Sequence, residues 1–72
     1  MNDIPNLETV KQFSDRDPAF PEGGLRWMIF NEDKNGLKEA GAIVRIGTGK
    51  RQKVLIDVER FYEVILSQNK AA

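Results

Sequence analysis

The sequence predicts a mainly α-helical fold with one small β-hairpin, in the order helix, helix, strand, strand, helix. Three observations predict it: a helix start near residue 9, two β-rich runs joined by a glycine-containing segment, and an amphipathic stripe near the carboxyl end. The chain has 72 residues, which suits one domain. We therefore treat residues 1–72 as a single domain and expect an ordered core over about residues 7–67.

The first helix is predicted to begin after Thr9. Thr9 and Gln12 have the spacing of a capping box, in which the two side chains each satisfy the other residue's backbone amide. The helix should bury Phe13 and continue to about Arg16. Pro18 ends it, because a proline pushes the preceding residue out of the helical conformation.

The second helix is predicted over residues 21–31, since Pro21 is tolerated in a first turn where its missing amide costs nothing. Three apolar residues at helical spacing form its core stripe: Leu25, Met28 and Ile29. Arg26, Trp27 and Phe30 lie at other angles. Gly23 and Gly24 each destabilise a helix by about 1 kcal/mol relative to alanine. Their presence in the first turn suggests that a backbone or a ligand comes close to this end of the helix.

A hairpin is predicted after a polar turn over residues 31–36. Its strands are residues 42–46 and 53–56, and the glycines between them permit left-handed backbone at a basic tip. Alternation predicts a buried face made of Val44, Ile46, Val54 and Ile56. The opposite face would then carry Ile43, Arg45, Lys53 and Leu55.

The last helix is predicted to follow Asp57, which is a favourable N-cap residue. Its apolar positions recur with the periodicity of one helix face: Val58, Phe61, Tyr62, Ile65 and Leu66.

Composition excludes several functions. The chain has no cysteine and no histidine, so it lacks thiolate ligands, disulfides and the most common general base. Adjacent acids such as Glu32 and Asp33 have no nucleophile or base beside them. We expect no catalysis and no cofactor. The longest apolar run is residues 27–30, so we expect no membrane span, and a cytoplasmic location.

Charge is divided unevenly along the chain, although 11 basic and 11 acidic residues cancel overall. Residues 1–24 contain two bases and five acids, whereas residues 34–53 contain six bases and one acid. Residues 45–53 contain four bases and no acid. This pattern predicts a patch for a nucleic acid or another polyanion, and the alternative is a solvated hairpin.

The second half of the chain resembles the excisionase-like, MerR-type winged helix-turn-helix proteins of mobile elements. The segments that carry the resemblance are Gly36-Leu37, Ala42-Ile43-Val44-Arg45-Ile46-Gly47, Val54-Leu55-Ile56-Asp57 and Phe61-Tyr62. The first half matches more loosely, through Thr9-Val10 and the run from Gly24 to Ile29. The chain departs from the family where Pro21-Glu22-Gly23-Gly24 replaces the usual serine or threonine opening of the recognition helix, and in a longer loop at residues 31–40.

The resemblance implies sequence-specific binding of double-stranded DNA, in excision or in transcriptional regulation of a phage, plasmid or integrative element. The second helix would enter the major groove and the hairpin would be the wing on the phosphate backbone. The resemblance further implies a partner such as an integrase or RNA polymerase, and a monomer or weak self-association on DNA.

These roles predict DNA contacts from the second helix by Glu22, Gly23, Gly24, Arg26 and Trp27. The hairpin would contribute Arg45, Thr48, Lys50, Arg51 and Lys53. Each has an ordinary structural alternative. Arg26 could pair with Glu22, Trp27 could be partly buried in the core, and the two glycines could mark a tight helix crossing.

Two other functions remain open. The zero net charge and acidic first helix favour a protein-interaction adaptor or antirepressor on the same fold. Trp27 together with the basic hairpin is also compatible with binding of single-stranded nucleic acid.

Overall fold

The computed structural model describes residues 6–71, and the side chains of these residues except Arg51 and residues 69–71. The elements are β1 (Leu7–Glu8), α1 (Val10–Arg16), α2 (Glu22–Phe30), α3 (Glu32–Asn35), α4 (Leu37–Ala40), β2 (Ile43–Ile46), β3 (Lys53–Asp57) and α5 (Val58–Ala71). A short 3-10 turn, Gly49–Arg51, lies between β2 and β3. The predicted mainly α-helical fold with a small hairpin is confirmed, and α2 and both hairpin strands begin and end within one residue of their predicted bounds.

The capping box at the start of α1 forms as predicted. The Thr9 hydroxyl accepts a hydrogen bond from the Gln12 amide at 3.1 Å, and the Thr9 amide donates to Gln12 Oε1 at 3.0 Å. The helix ends at Arg16, where Asp17 donates its amide to the carbonyl of Phe13. Local side-chain chemistry therefore fixes where α1 begins, independently of the rest of the fold.

The strand β1 was not predicted. Leu7 lies opposite Asp57 and Glu8 lies opposite Ile56, which makes an antiparallel three-stranded sheet in the order β1-β3-β2. Two residues are too few to show the alternation from which a strand is predicted.

The segment between α2 and β2, in which residues 31–36 were predicted to be a polar turn, forms two short helices, α3 and α4. The Asn35 side chain donates to the carbonyl of Met28 at 2.9 Å and accepts from the Leu37 amide at 3.1 Å. Gly36 between the two helices has φ +90°, a left-handed conformation that favours glycine. Leu37 is buried and attaches this segment to the core. The side-chain amide of Asn35 satisfies backbone groups that helix ends leave unpaired, which propensity alone does not reveal.

The predicted faces of the hairpin were right for β3 and wrong for β2. Ile43 lies opposite Ile56 and Arg45 lies opposite Val54, so odd-numbered residues of β2 share a face with even-numbered residues of β3. The core-side face therefore carries Ile43, Arg45, Val54 and Ile56, and the outer face carries Val44, Ile46, Lys53 and Leu55. Register depends on the connection, in which Gly47 and Gly49 both have positive φ, and a one-residue difference exchanges the faces.

The core is built around aromatic side chains from α1, α5 and the segment before α2. Phe13 stacks on Phe61 with ring centroids 5.0 Å apart, and Phe20 meets Phe13 edge-on at 5.8 Å. Tyr62 joins the same cluster. The fully or nearly buried apolar residues are Val10, Phe13, Leu25, Leu37, Ala42, Ile56, Val58 and Phe61.

The last helix, α5, begins where predicted and continues beyond the predicted stripe. Asp57 Oδ1 accepts a hydrogen bond from the Arg60 amide at 3.3 Å, which is the expected capping contact. The predicted stripe is correct except for Leu66, whose position is 57% exposed, while Val64 packs against the core. None of the helices within residues 6–71 is long and apolar enough to cross a membrane.

Candidate nucleic-acid interface

One face of α2 is turned away from the core. Leu25 is buried, and Met28 and Ile29 pack against the core cluster. At 3.6 residues per turn, the side opposite this stripe carries Gly23, Trp27 and Phe30, with Arg26 beside them. Trp27 is 66% exposed and Phe30 is 84% exposed. The outer face of α2 is therefore open, apolar and aromatic. Trp27 is therefore not a core residue, and the alternative of partial burial in the core was wrong.

Arg26 pairs with Glu22 one turn earlier in α2. The distance from Arg26 Nη2 to Glu22 Oε2 is 3.4 Å, and both side chains are largely exposed to solvent. Exposed pairs at this spacing contribute only about 0.3–0.5 kcal/mol. The pairing with Glu22 that was the alternative for Arg26 is thus present. Because the pair is weak, it is no obstacle to a contact between the guanidinium and a phosphate or a base edge.

The first turn of α2 is unobstructed. A Cβ atom added to Gly23 would meet no heavy atom within 4 Å, and one added to Gly24 would meet only Pro21, at 3.8 Å. The glycines therefore do not serve a tight helix crossing within the described residues. The N-cap residue, Pro21, makes no side-chain capping bond. First-turn amides without a cap attract an anion, and a phosphate suits this position.

The hairpin tip is solvent-exposed. Thr48, Gly49, Lys50 and Lys53 are all exposed. Among the salt bridges of the described residues, none involves Lys50 or Lys53. The side chain of Arg51 lies outside the described residues. Both lysines are thus positive charges for which the described residues supply no counter-ion.

Arg45 has a different environment from the other hairpin cations. It was predicted to face away from the core, and the hairpin register instead turns it to the core side, where it forms an ion pair with Glu32 of α3. The hydrogen bond to Glu32 raises the pKa of Arg45 above its ordinary value. The Glu32 side chain is only 12% exposed, so the pair links α3 firmly to β2.

An open cleft of about 390 Å³ lies between α2 and the hairpin. The residues that line it come from five elements: Val10, Arg26, Ile29, Phe30, Glu32, Arg45 and Val54. Apolar side chains form much of its wall, and Arg26 and Arg45 are its two cations. The structure thus brings together two predicted site residues that are 19 positions apart in the sequence. The tip residues Thr48 and Lys50 do not line the cleft.

Phe30 is the residue that the sequence argument did not select. It was identified as lying off the core stripe, and it is the most exposed of the large apolar residues in the described part of the chain. Its position seven residues after Gly23 places both on the same helix face. That spacing is visible in the sequence and could have identified it.

No protein-family model, curated protein or solved structure matches this chain.

Proposed function

We propose that this chain is a sequence-specific duplex-DNA-binding protein with a winged helix-turn-helix arrangement. In this proposal α2 enters the major groove and the hairpin is the wing that contacts phosphates. The observation that carries the proposal is the cleft that Arg26 and Phe30 of α2 line together with Arg45 of β2, because one surface then includes a flank of α2 and a strand of the hairpin. The sequence resemblance suggests an excisionase-like factor or a small transcriptional regulator of a mobile element.

The electrostatics of the hairpin support a polyanionic partner. Residues 45–53 contain four bases and no acid. Lys50 and Lys53 are exposed and make no salt bridge within the described residues, so they are free to neutralise phosphates. The uncapped first turn of α2, with its open glycines, offers backbone amides to a further phosphate.

The division of labour follows from the surroundings of each cation. Arg26 lies on an exposed helix flank and its ion pair is weak, which suits a guanidinium that reads a guanine edge. Arg45 is held by a mostly buried carboxylate and so orients the hairpin against α3 more than it contacts DNA. The lysines of the hairpin supply affinity that is independent of sequence.

A titration of a fluorescent random-sequence duplex, followed by anisotropy at several salt concentrations, tests the proposal. With about four to six phosphate contacts, log affinity should fall against log salt with a slope near −4 to −5. Lys53→Ala should reduce that slope by about 1. The matched control is Lys11→Ala, which removes one positive charge from α1, where Lys11 pairs with Asp15 at 3.6 Å.

Absence of salt-dependent binding by the wild-type protein contradicts the proposal, and so does an equal loss in Lys53→Ala and Lys11→Ala. The second candidate is an adaptor that binds a protein, which the exposed aromatic face of α2 favours. It predicts no binding to duplex at any salt concentration. A preference for single strands over duplex would instead indicate base stacking on Trp27.

A further inference from the structure

Among the described residues, α2 is the element that carries two exposed large apolar side chains, Trp27 and Phe30. Ile46 and Leu66 are also exposed, but each lies alone on a different element. Single exposed apolar residues are common on protein surfaces and need no explanation, whereas a contiguous pair indicates a contact surface. Trp27 and Phe30 are separated by one helical turn, so their side chains lie on one face.

The charges around this pair indicate the chemistry of its partner. Phe30 lines the cleft with Arg26, Arg45 and Glu32, and the hairpin that continues from Arg45 carries no acid up to Lys53. Because each arginine is paired with a glutamate, a partner seated on this face meets an apolar centre, and the net positive charge beside it is that of the hairpin. Duplex DNA fits both features, because the thymine C5 methyl is the apolar group on the base edges of its major groove.

The dimensions of α2 agree with such a contact. Trp27 and Phe30 are three residues apart, or about 4.5 Å along the helix axis. Successive base pairs are separated by about 3.4 Å. Two side chains at this spacing can contact neighbouring base pairs when the helix lies along the groove. Gly23, on the same face, leaves the amino end of the helix open to close approach.

We propose that Trp27 and Phe30 are specificity-determining residues that contact thymine methyl groups, so that α2 prefers a site with adjacent A·T pairs. This inference rests on the proposed function, since it assumes that α2 faces duplex DNA. It assigns to Phe30 a role that the charge pattern alone does not suggest.

The test uses a duplex recovered from a random pool by selection with the 72-residue protein. A second version of that duplex carries deoxyuridine in place of every thymine, which removes only the C5 methyl groups. For each thymine that the protein contacts, affinity should fall about fourfold, as expected for loss of one buried methyl group. The measured quantity is the affinity for the thymine duplex divided by the affinity for the deoxyuridine duplex.

Variants assign the effect to the two aromatic residues. Trp27→Ala and Phe30→Ala should each bind the thymine duplex more weakly and lower the ratio of affinities towards 1. Phe30→Leu, which keeps an apolar side chain, should retain part of the ratio. Leu66→Ala is the matched control, since it removes an exposed apolar side chain from α5, and its ratio should equal that of the wild type.

The outcomes separate the two proposals. If the wild-type protein binds neither duplex, the proposed function fails. If it binds both duplexes equally, or selects a site without adjacent A·T pairs, DNA binding stands and the role of the aromatic pair fails. Self-association that Phe30→Ala abolishes, without any difference between thymine and deoxyuridine duplexes, would show that a second copy of the chain covers this face, and would also overturn the inference.

Discussion

The side of the molecule formed by α1 and α5 and the side formed by α2 and the hairpin differ in how their side chains are partnered. On the first side, Phe13 and Phe61 stack in the core and are almost fully buried. Charged residues there pair locally, as in the 3.1 Å contact between Arg16 and Glu8. On the second side, two aromatic residues are exposed and the hairpin lysines make no salt bridge within the described residues.

If the proposed function is right, this difference separates the residues that stabilise the fold from those that bind DNA. The aromatic cluster supplies the burial that a short chain needs in order to fold. The α2 and hairpin side exposes Trp27 and Phe30, and its hairpin lysines make no salt bridge within the described residues, although Arg26 and Arg45 are paired there. We propose that a partner completes this surface. Changes on the first side should therefore alter folding, and changes on the second side should alter binding.

The largest expected effect is on folding. Phe13→Ala should lower the free energy of unfolding by about 3–5 kcal/mol, because it removes a fully buried aromatic ring and leaves a cavity. A domain of this size has little more stability than that to lose. Urea unfolding followed by circular dichroism measures it. The control, Phe30→Ala, should change the same free energy by less than about 0.5 kcal/mol. Equal losses in the two variants would show that the exposed Phe30 stabilises the fold as much as the buried Phe13 does.

A smaller effect is expected on sequence preference. Arg26→Ala should weaken binding to a selected duplex by about 1–3 kcal/mol and weaken binding to random duplex less. Its free energy of unfolding should hardly change, since the pair with Glu22 is exposed and weak. Anisotropy titrations with both duplexes measure the difference. An equal loss on both would show that Arg26 contacts only phosphates.

Several features of the fold could be predicted because their causes are local in sequence. The capping box of Thr9 and Gln12 needs only two side chains three residues apart, and the apolar stripe of α5 repeats over several turns. The helices α3 and α4 depend instead on Asn35, whose side chain bonds to the backbone on both sides of it. Nothing in residue propensity distinguishes that network from a polar turn.

The candidate site divides in the same way. The exposure of Arg26 follows from its angle relative to the core stripe of α2. The same angle placed Trp27 off the stripe, but partial burial in the core stayed open for it, and the structure decides for exposure. The ion pair between Arg45 and Glu32 joins residues 13 positions apart and depends on the hairpin register. Register in turn depends on the backbone of the hairpin connection, which periodicity does not encode. The sequence therefore identified Arg45 as part of the basic segment, but it did not predict the face of the hairpin on which the Arg45 side chain lies.

The smallest expected effect sharpens the role of Arg45. Glu32→Gln removes the carboxylate that neutralises Arg45, so salt-dependent duplex binding should become tighter and its slope steeper by about 1. The free energy of unfolding should fall by about 1 kcal/mol or less. The control is Glu39→Gln, which removes an exposed carboxylate of α4. Identical salt slopes in the wild-type protein and the Glu32 variant would show that the DNA never approaches Arg45.

The most direct test of the central claim is a map of the DNA-binding surface by ¹H–¹⁵N NMR titration of the labelled protein with duplex. We expect that amide signals of Gly23 and Gly24, the indole signal of Trp27, and amide signals around Lys50 and Lys53 shift together, while those of α5, which does not line the cleft, stay unchanged. Shifts confined to α1 and α5, or to the hairpin without α2, would contradict the claim that α2 and the hairpin form one DNA-binding surface.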